Sequence, residues 1–121
     1  MITIWDNNKV IYTSDKETIK EVVKEAVTNK ISLVYANLSG TNLSGIDLSG
    51  VDLSGANLSY ANLSGTNLSN ANLSNADLSY ANLSGVDLYE ANLYEANLFG
   101  AGLYGAKIDK DVDIRKLLNI K

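Results

Sequence analysis

Ala36-Asn37-Leu38-Ser39-Gly40 opens a stretch that repeats one five-residue phrase fourteen times and closes on Ala101-Gly102-Leu103-Tyr104-Gly105. Leucine recurs without a break at Leu38, Leu43, Leu48, Leu53, Leu58, Leu63, Leu68, Leu73, Leu78, Leu83, Leu88, Leu93, Leu98 and Leu103. Two residues before each leucine stands Ala, Thr, Ile or Val, and the residue just before is Asn or Asp in every copy except Gly102. A helix turns about 100° per residue, so a period of five spreads the leucines around its whole surface. A flat strand has period two, so every fifth residue alternates faces. A chain that bends after every fifth residue satisfies the pattern. The leucine and the residue two before it then share one side, as in a short strand, and all of them point inward.

The remaining positions agree with a corner. Asn or Asp before leucine offers a short polar side chain to nearby backbone. Gly at the fifth position, as at Gly40, Gly45, Gly50, Gly55 and Gly65, permits a left-handed corner. Where Tyr60, Asn70, Asn75, Tyr80, Glu90 and Glu95 replace it, a turn without positive φ is expected, so two turn types are predicted.

The phrase resembles that of the pentapeptide repeat family, A(D/N)LXX. The resemblance implies an all-β solenoid, a right-handed quadrilateral β-helix with four phrases per coil. Degenerate phrases at Ile31–Tyr35 and Ala106–Lys110, with Ile108 in the leucine place, bring the total to sixteen and the coils to about four. At a sheet-like spacing of roughly 4.8 Å the coil section is about 19 Å tall. The chain of 121 residues reads as a single domain. Residues 1–30 form an N-terminal hairpin and capping helix, residues 31–110 the β-helix, and residues 111–121 a C-terminal capping helix. Positions twenty apart stack, so Leu33, Leu53, Leu73 and Leu93 share one column, and Leu48, Leu68, Leu88 and Ile108 another.

Outside the array, Ile2-Thr3-Ile4-Trp5 and Lys9-Val10-Ile11-Tyr12 flank a turn near Asp6-Asn7-Asn8 and read as a β-hairpin. Residues 15–29 read as a helix with a capping box at Ser14 and Glu17. Ile19, Val22, Val23, Ala26 and Val27 form its apolar stripe. Its expected duty is a lid over the open end of the coil, which otherwise presents unpaired backbone. Asp111–Ile120 reads as a short helix with Asp113 as N-cap.

The chain has no Cys and no His, which removes thiol chemistry, the Ser-His-Asp arrangement and the commonest general base. No phosphate loop or calcium-binding nonapeptide pattern is present. The reading is a protein without catalytic residues, cofactor or metal. It is expected to be cytoplasmic, with neither a signal peptide nor a membrane-spanning run. The array holds six acids and no Lys or Arg, against five bases and three acids in residues 106–121. Asp47, Asp52, Asp87, Glu90 and Glu95 fall on two adjacent faces. An acidic shaft argues against direct nucleic-acid binding.

The residue after leucine is Ser ten times running, then becomes Tyr89, Tyr94, Phe99 and Tyr104, one per face of the last coil. With Ile114, Leu117, Leu118 and Ile120 of the tail they form a candidate interface at the C-terminal end. The function expected is a structural or protein-interaction module of unknown role, with an unknown protein partner or a second copy of the chain joined through the C-terminal ends. The resemblance adds an alternative, because some members protect DNA gyrase from quinolones by imitating DNA. Such mimics are longer, strongly acidic dimers. Ice or surface binding by flat Ser/Asn arrays is disfavoured, since Thr occurs in the array only at Thr41 and Thr66.

Overall fold

The computed structural model describes residues 1–119. Parallel bridges join Asn37 to Asn57, Asn57 to Asp77 and Asp77 to Asn97, so each step of twenty residues raises the chain by one level. The same spacing links Asn42, Asn62, Asn82 and Gly102 on a second face. Asp47, Asn67, Asp87 and Lys107 form a third, and Asp52, Asn72 and Asn92 a fourth. Four phrases therefore close one coil. The bonding repeats at each level: Leu73 N–H donates to Asn92 O at 2.8 Å, Asn75 N–H to Tyr94 O at 2.9 Å, and Asn92 N–H to Ala71 O at 2.9 Å. Burial follows the phrase. The leucines from Leu33 to Leu88 are at most 1% exposed, and each contributes roughly 1.5–3 kcal/mol by leaving water. Leu103 and Ile108, expected in the core, are only half-buried because no complete coil lies beneath them. Thr66, in the alanine place, is fully buried, and its hydroxyl donates to Leu43 O at 3.1 Å.

The expectation of two corner types is not met. Every fifth position from Tyr35 to Gly105 is left-handed, whether Gly or not: Gly45 has φ 72°, Asn75 61° and Glu90 63°. Bonds such as Ala76 N–H to Leu73 O at 3.1 Å close the corner three residues back. Positive φ at the third turn residue alone, closed by that bond, marks a type II turn. Stacking overrides local preference here, because a corner of different shape would break register with the coils above and below. The Asn or Asp before leucine locks the entry to each corner. Asn72 Oδ1 accepts from Ser74 N–H at 3.0 Å and from the Ser74 hydroxyl at 2.7 Å.

The hairpin pairs β1 (Ile2–Asp6) with β2 (Lys9–Ser14), with a register shift between Ile4 and Trp5. It joins the first coil through Asn37 N–H, which donates to Trp5 O at 2.6 Å. Helix α1 spans Ile19–Thr28, four residues shorter at its start than expected. The capping box lies at Thr18 and Glu21, not at Ser14 and Glu17. Thr18 Oγ1 accepts from Glu21 N–H at 3.2 Å and donates to Glu21 Oε1 at 3.1 Å. Ser14 is instead buried, and its hydroxyl accepts from Lys16 N–H at the strand end. Val22, Val23 and Ala26 of α1 join Ile4 and the leucines in one buried cluster. The Tyr12 hydroxyl clamps hairpin to helix by donating to Glu25 Oε1 at 2.6 Å, which raises the Tyr12 pKa and lowers that of Glu25.

The left-handed corners make opposite demands on opposite residue types. A Cβ at Gly45 meets nothing within 4 Å, so Gly45→Ala tests backbone strain alone and should lose about 1–2 kcal/mol. Glu90→Gly relieves the same strain and should leave stability equal or higher. Denaturant unfolding of both variants checks this; a neutral Gly45→Ala together with a destabilised Glu90→Gly would refute uniform corners.

Candidate functional site

The switch from Ser to aromatic in the last coil leaves the corners intact but changes what projects from them. Tyr89, Tyr94 and Phe99 donate their backbone N–H to Asp87, Asn92 and Asn97 Oδ1 at 3.0 Å, as serine does elsewhere. A serine hydroxyl folds back onto that same acceptor, whereas an aromatic ring cannot and stands out from the wall. Tyr94 is 70% exposed and Tyr104 91%. The four rings sit one per face and do not stack on one another among the described residues. Phe99 instead meets Tyr80 edge-on, with ring centroids 5.6 Å apart, and Tyr80 stacks on Tyr60 at 5.0 Å. The Tyr80 ring lies over Gly100, where a Cβ would stand 2.6 Å from it.

Ile114, Leu117 and Leu118 do not project with the rings. They are half-buried and pack inward against the core, together with Val112, which sequence reasoning passed over. Ile120 lies outside the described residues. Helix α2 covers only Ile114–Leu117, and Asp113 caps it by accepting from Lys116 N–H at 3.3 Å.

Among the described residues the tail closes some rungs of the ladder and leaves others open, the fourth face among them. On the third face Leu88 N–H donates to Lys107 O at 2.8 Å, and Glu90 N–H to Asp109 Oδ2 at 2.8 Å. On the first face Leu98 N–H donates to Leu117 O at 2.9 Å, in the ordinary register of nineteen. The fourth face lies between them, and residues 111–115 fall beneath its last phrase, 91–95. Asp113 then stands in the leucine place, and an unpaired carboxylate cannot be buried there. The chain leaves the ladder: Val112 N–H turns back to Asp109 O at 3.2 Å, and α2 begins. Among the described residues nothing accepts from Leu93 N–H or Glu95 N–H. A cavity of about 340 Å³ remains there, lined by Leu93, Ala96, Val112 and Leu117 with Glu95 and Lys116 at its sides.

The acids of the shaft sort into two kinds. Asp47, Asp52 and Asp87 turn back on their own corners and accept from Ser49, Ser54 and Tyr89 N–H at 2.9–3.0 Å. The Ser49 hydroxyl and N–H hold the Asp47 carboxyl below its usual pKa. Glu90 and Glu95 occupy corners and are exposed. Among the described residues no group of three acids converges as a metal site would need, and no helix is long and apolar enough to cross a membrane.

The family model for pentapeptide repeats matches eight copies over residues 31–70 and 66–103. The chain belongs to the pentapeptide repeat family. Its β-helical solenoid is similar to that of HetL from the cyanobacterium Nostoc sp., described as involved in heterocyst differentiation regulation. Identity is 35% over 75% of this chain, with a TM-score of 0.67. The chain spans only 38% of HetL. A second Nostoc pentapeptide repeat protein is 34% identical, with 88% of this chain and 97% of the other covered and a TM-score of 0.68. A trypsin-treated form of QnrB1, a plasmid-mediated fluoroquinolone resistance protein, is 31% identical over 73% of this chain and 42% of its own, with a TM-score of 0.59. No curated protein sequence matches the chain.

Because the folded state lowers the Asp47 pKa, its contribution is present above the ordinary carboxylate value of about 3.9 and is lost as pH falls through the lower folded value. Asp47→Asn should therefore be no more stable than the parent at pH 7, and the gap should close on acidification. Thermal unfolding across that range measures it; a gap that widens at low pH contradicts the assignment.

Proposed function

We propose that this chain is a non-catalytic interaction module, a right-handed rod in the cytoplasm that binds another protein through its C-terminal end. One observation carries the reading. The wall consumes its own polar groups coil after coil, and only the last coil replaces a self-bonded serine with exposed rings. Aromatics of this kind dominate interface energetics. The proposed first partner is a second copy of the chain. A two-fold pairing around Phe99 and Tyr104 would bury rings on both sides, and isologous dimers are the commonest oligomers. Lys116 lines the same cavity as Glu95, so this end presents charges of both signs to a second copy.

A second reading is imitation of DNA toward gyrase, supported by the likeness to QnrB1. Against it, three of the acids on the two acidic faces are turned back on their own corners. Direct nucleic-acid or membrane binding forms no part of the proposal.

Sedimentation equilibrium of the full chain and of a chain ending at Lys110 tests the first reading. A dimer that becomes a monomer on truncation is expected; two monomers or two dimers would contradict it. Gyrase supercoiling should proceed equally with and without the protein, and a dose-dependent change would favour the second reading.

A further inference from the structure

Among the described residues the ladder is open on the fourth face. Beneath residues 91–95 the next phrase would place Val112 O against Leu93 N–H and Ile114 O against Glu95 N–H, following the register of every earlier level. Asp113 in the leucine place prevents this, and residues 111–115 leave the wall. The register resumes one phrase later, where Leu117 O takes Leu98 N–H. The gap is therefore flanked by the Glu90 N–H bond to Asp109 Oδ2 on one neighbouring face and by the Leu98 N–H bond to Leu117 O on the other. Its upper edge offers two N–H donors, with Ala91 O as the matching acceptor. Its lining combines apolar Leu93, Ala96, Val112 and Leu117 with charged Glu95, Asp113 and Lys116, and its volume of about 340 Å³ lies within the ordinary range for ligand sites.

We propose that this gap is a binding site for one extended segment of a partner protein, which supplies the missing rung by parallel strand addition. The open edge dictates the occupant. Free donors and an acceptor at strand spacing recognise extended backbone, and the apolar part of the lining takes one aliphatic side chain in the place that Asp113 cannot fill. Glu95 and Asp113 stand beside the single Lys116, so the occupant's flanks are uncharged or basic. The inference rests on the C-terminal end being the binding end, and adds where on that end the partner lies. The gap is on the fourth face, away from Tyr104 on the second.

The probe is the capped peptide acetyl-Ala-Asn-Leu-Ser-Tyr-amide, which copies residues 56–60. Amide exchange and chemical shifts of the full chain are followed by NMR as it is added. Binding with a Kd of about 1 mM or tighter is expected. At ten times Kd the Leu93 and Glu95 amides should exchange about tenfold more slowly, while Leu73 and Leu98, already bonded, do not change. Asp113→Leu lets the chain's own residues 111–115 complete the rung; that variant should protect Leu93 without peptide and bind none. Peptide binding by Asp113→Leu at parental strength would overturn the proposal. So would Leu93 and Glu95 amides that are slow before any peptide is added. If that protection rises with protein concentration, a second copy fills the gap, and the C-terminal end still stands as the binding end. Shifts confined to Leu103 and Tyr104 would likewise overturn the gap and keep the end. No response at millimolar peptide overturns the gap outright, and sedimentation then judges the end separately.

Discussion

Everything in this molecule depends on the backbone bond from the inward leucines, unbroken from Leu38 to Leu88, to the carbonyl nineteen residues later. That bond holds one coil at a fixed height above the next. It forces every phrase to the same length and every corner to the same shape. It also explains why so plain a sequence can fold. Each coil finds its partners in its two neighbours, so no distant contact has to be found, and stability accumulates level by level. The leucines fill the axis, and the small residue two places earlier lets the walls approach. Asn or Asp secures each bend from outside.

The same constraint separates what the sequence discloses from what it hides. A period of five over fourteen copies excludes helix and flat strand by geometry, so the coil and its inward face are legible in the letters. Corner conformation is not, because Glu90 and Asn75 prefer other backbone when considered singly, and only register with their neighbours drives them left-handed. The α1 cap was misplaced by one turn for a similar reason. Ser14-x-x-Glu17 and Thr18-x-x-Glu21 are equal as local signals, and burial of Ser14 at the end of β2 decides between them. At the other end the outward rings were legible as a break in the serine run. The roles of Asp109, Val112 and Leu117 were not, since they come from counting the register past the point where the phrase fails.

A rod built this way keeps little bonding capacity on its sides. Serine hydroxyls close on asparagine, several carboxylates close on their own turns, and the wall offers repetition in place of a site. The proposed recognition falls at breaks in the pattern. The N-terminal break is closed by the hairpin and α1, whose apolar stripe enters the core. The C-terminal break is closed only in part, by α2 and the Asp109 carboxylate, and there the exposed rings and the open rung occur together. The proposed function is read from that coincidence, because the fold itself is similar to proteins as different as HetL and QnrB1.

Scalar couplings across hydrogen bonds in an isotope-labelled sample test the central bond directly. The account predicts couplings from Leu53 N–H to the Asn72 carbonyl, from Leu58 to Asp77 and from Leu73 to Asn92, each nineteen residues ahead. Couplings to carbonyls four residues behind, or at unequal separations from one phrase to the next, would contradict the coil on which the rest of the structure stands.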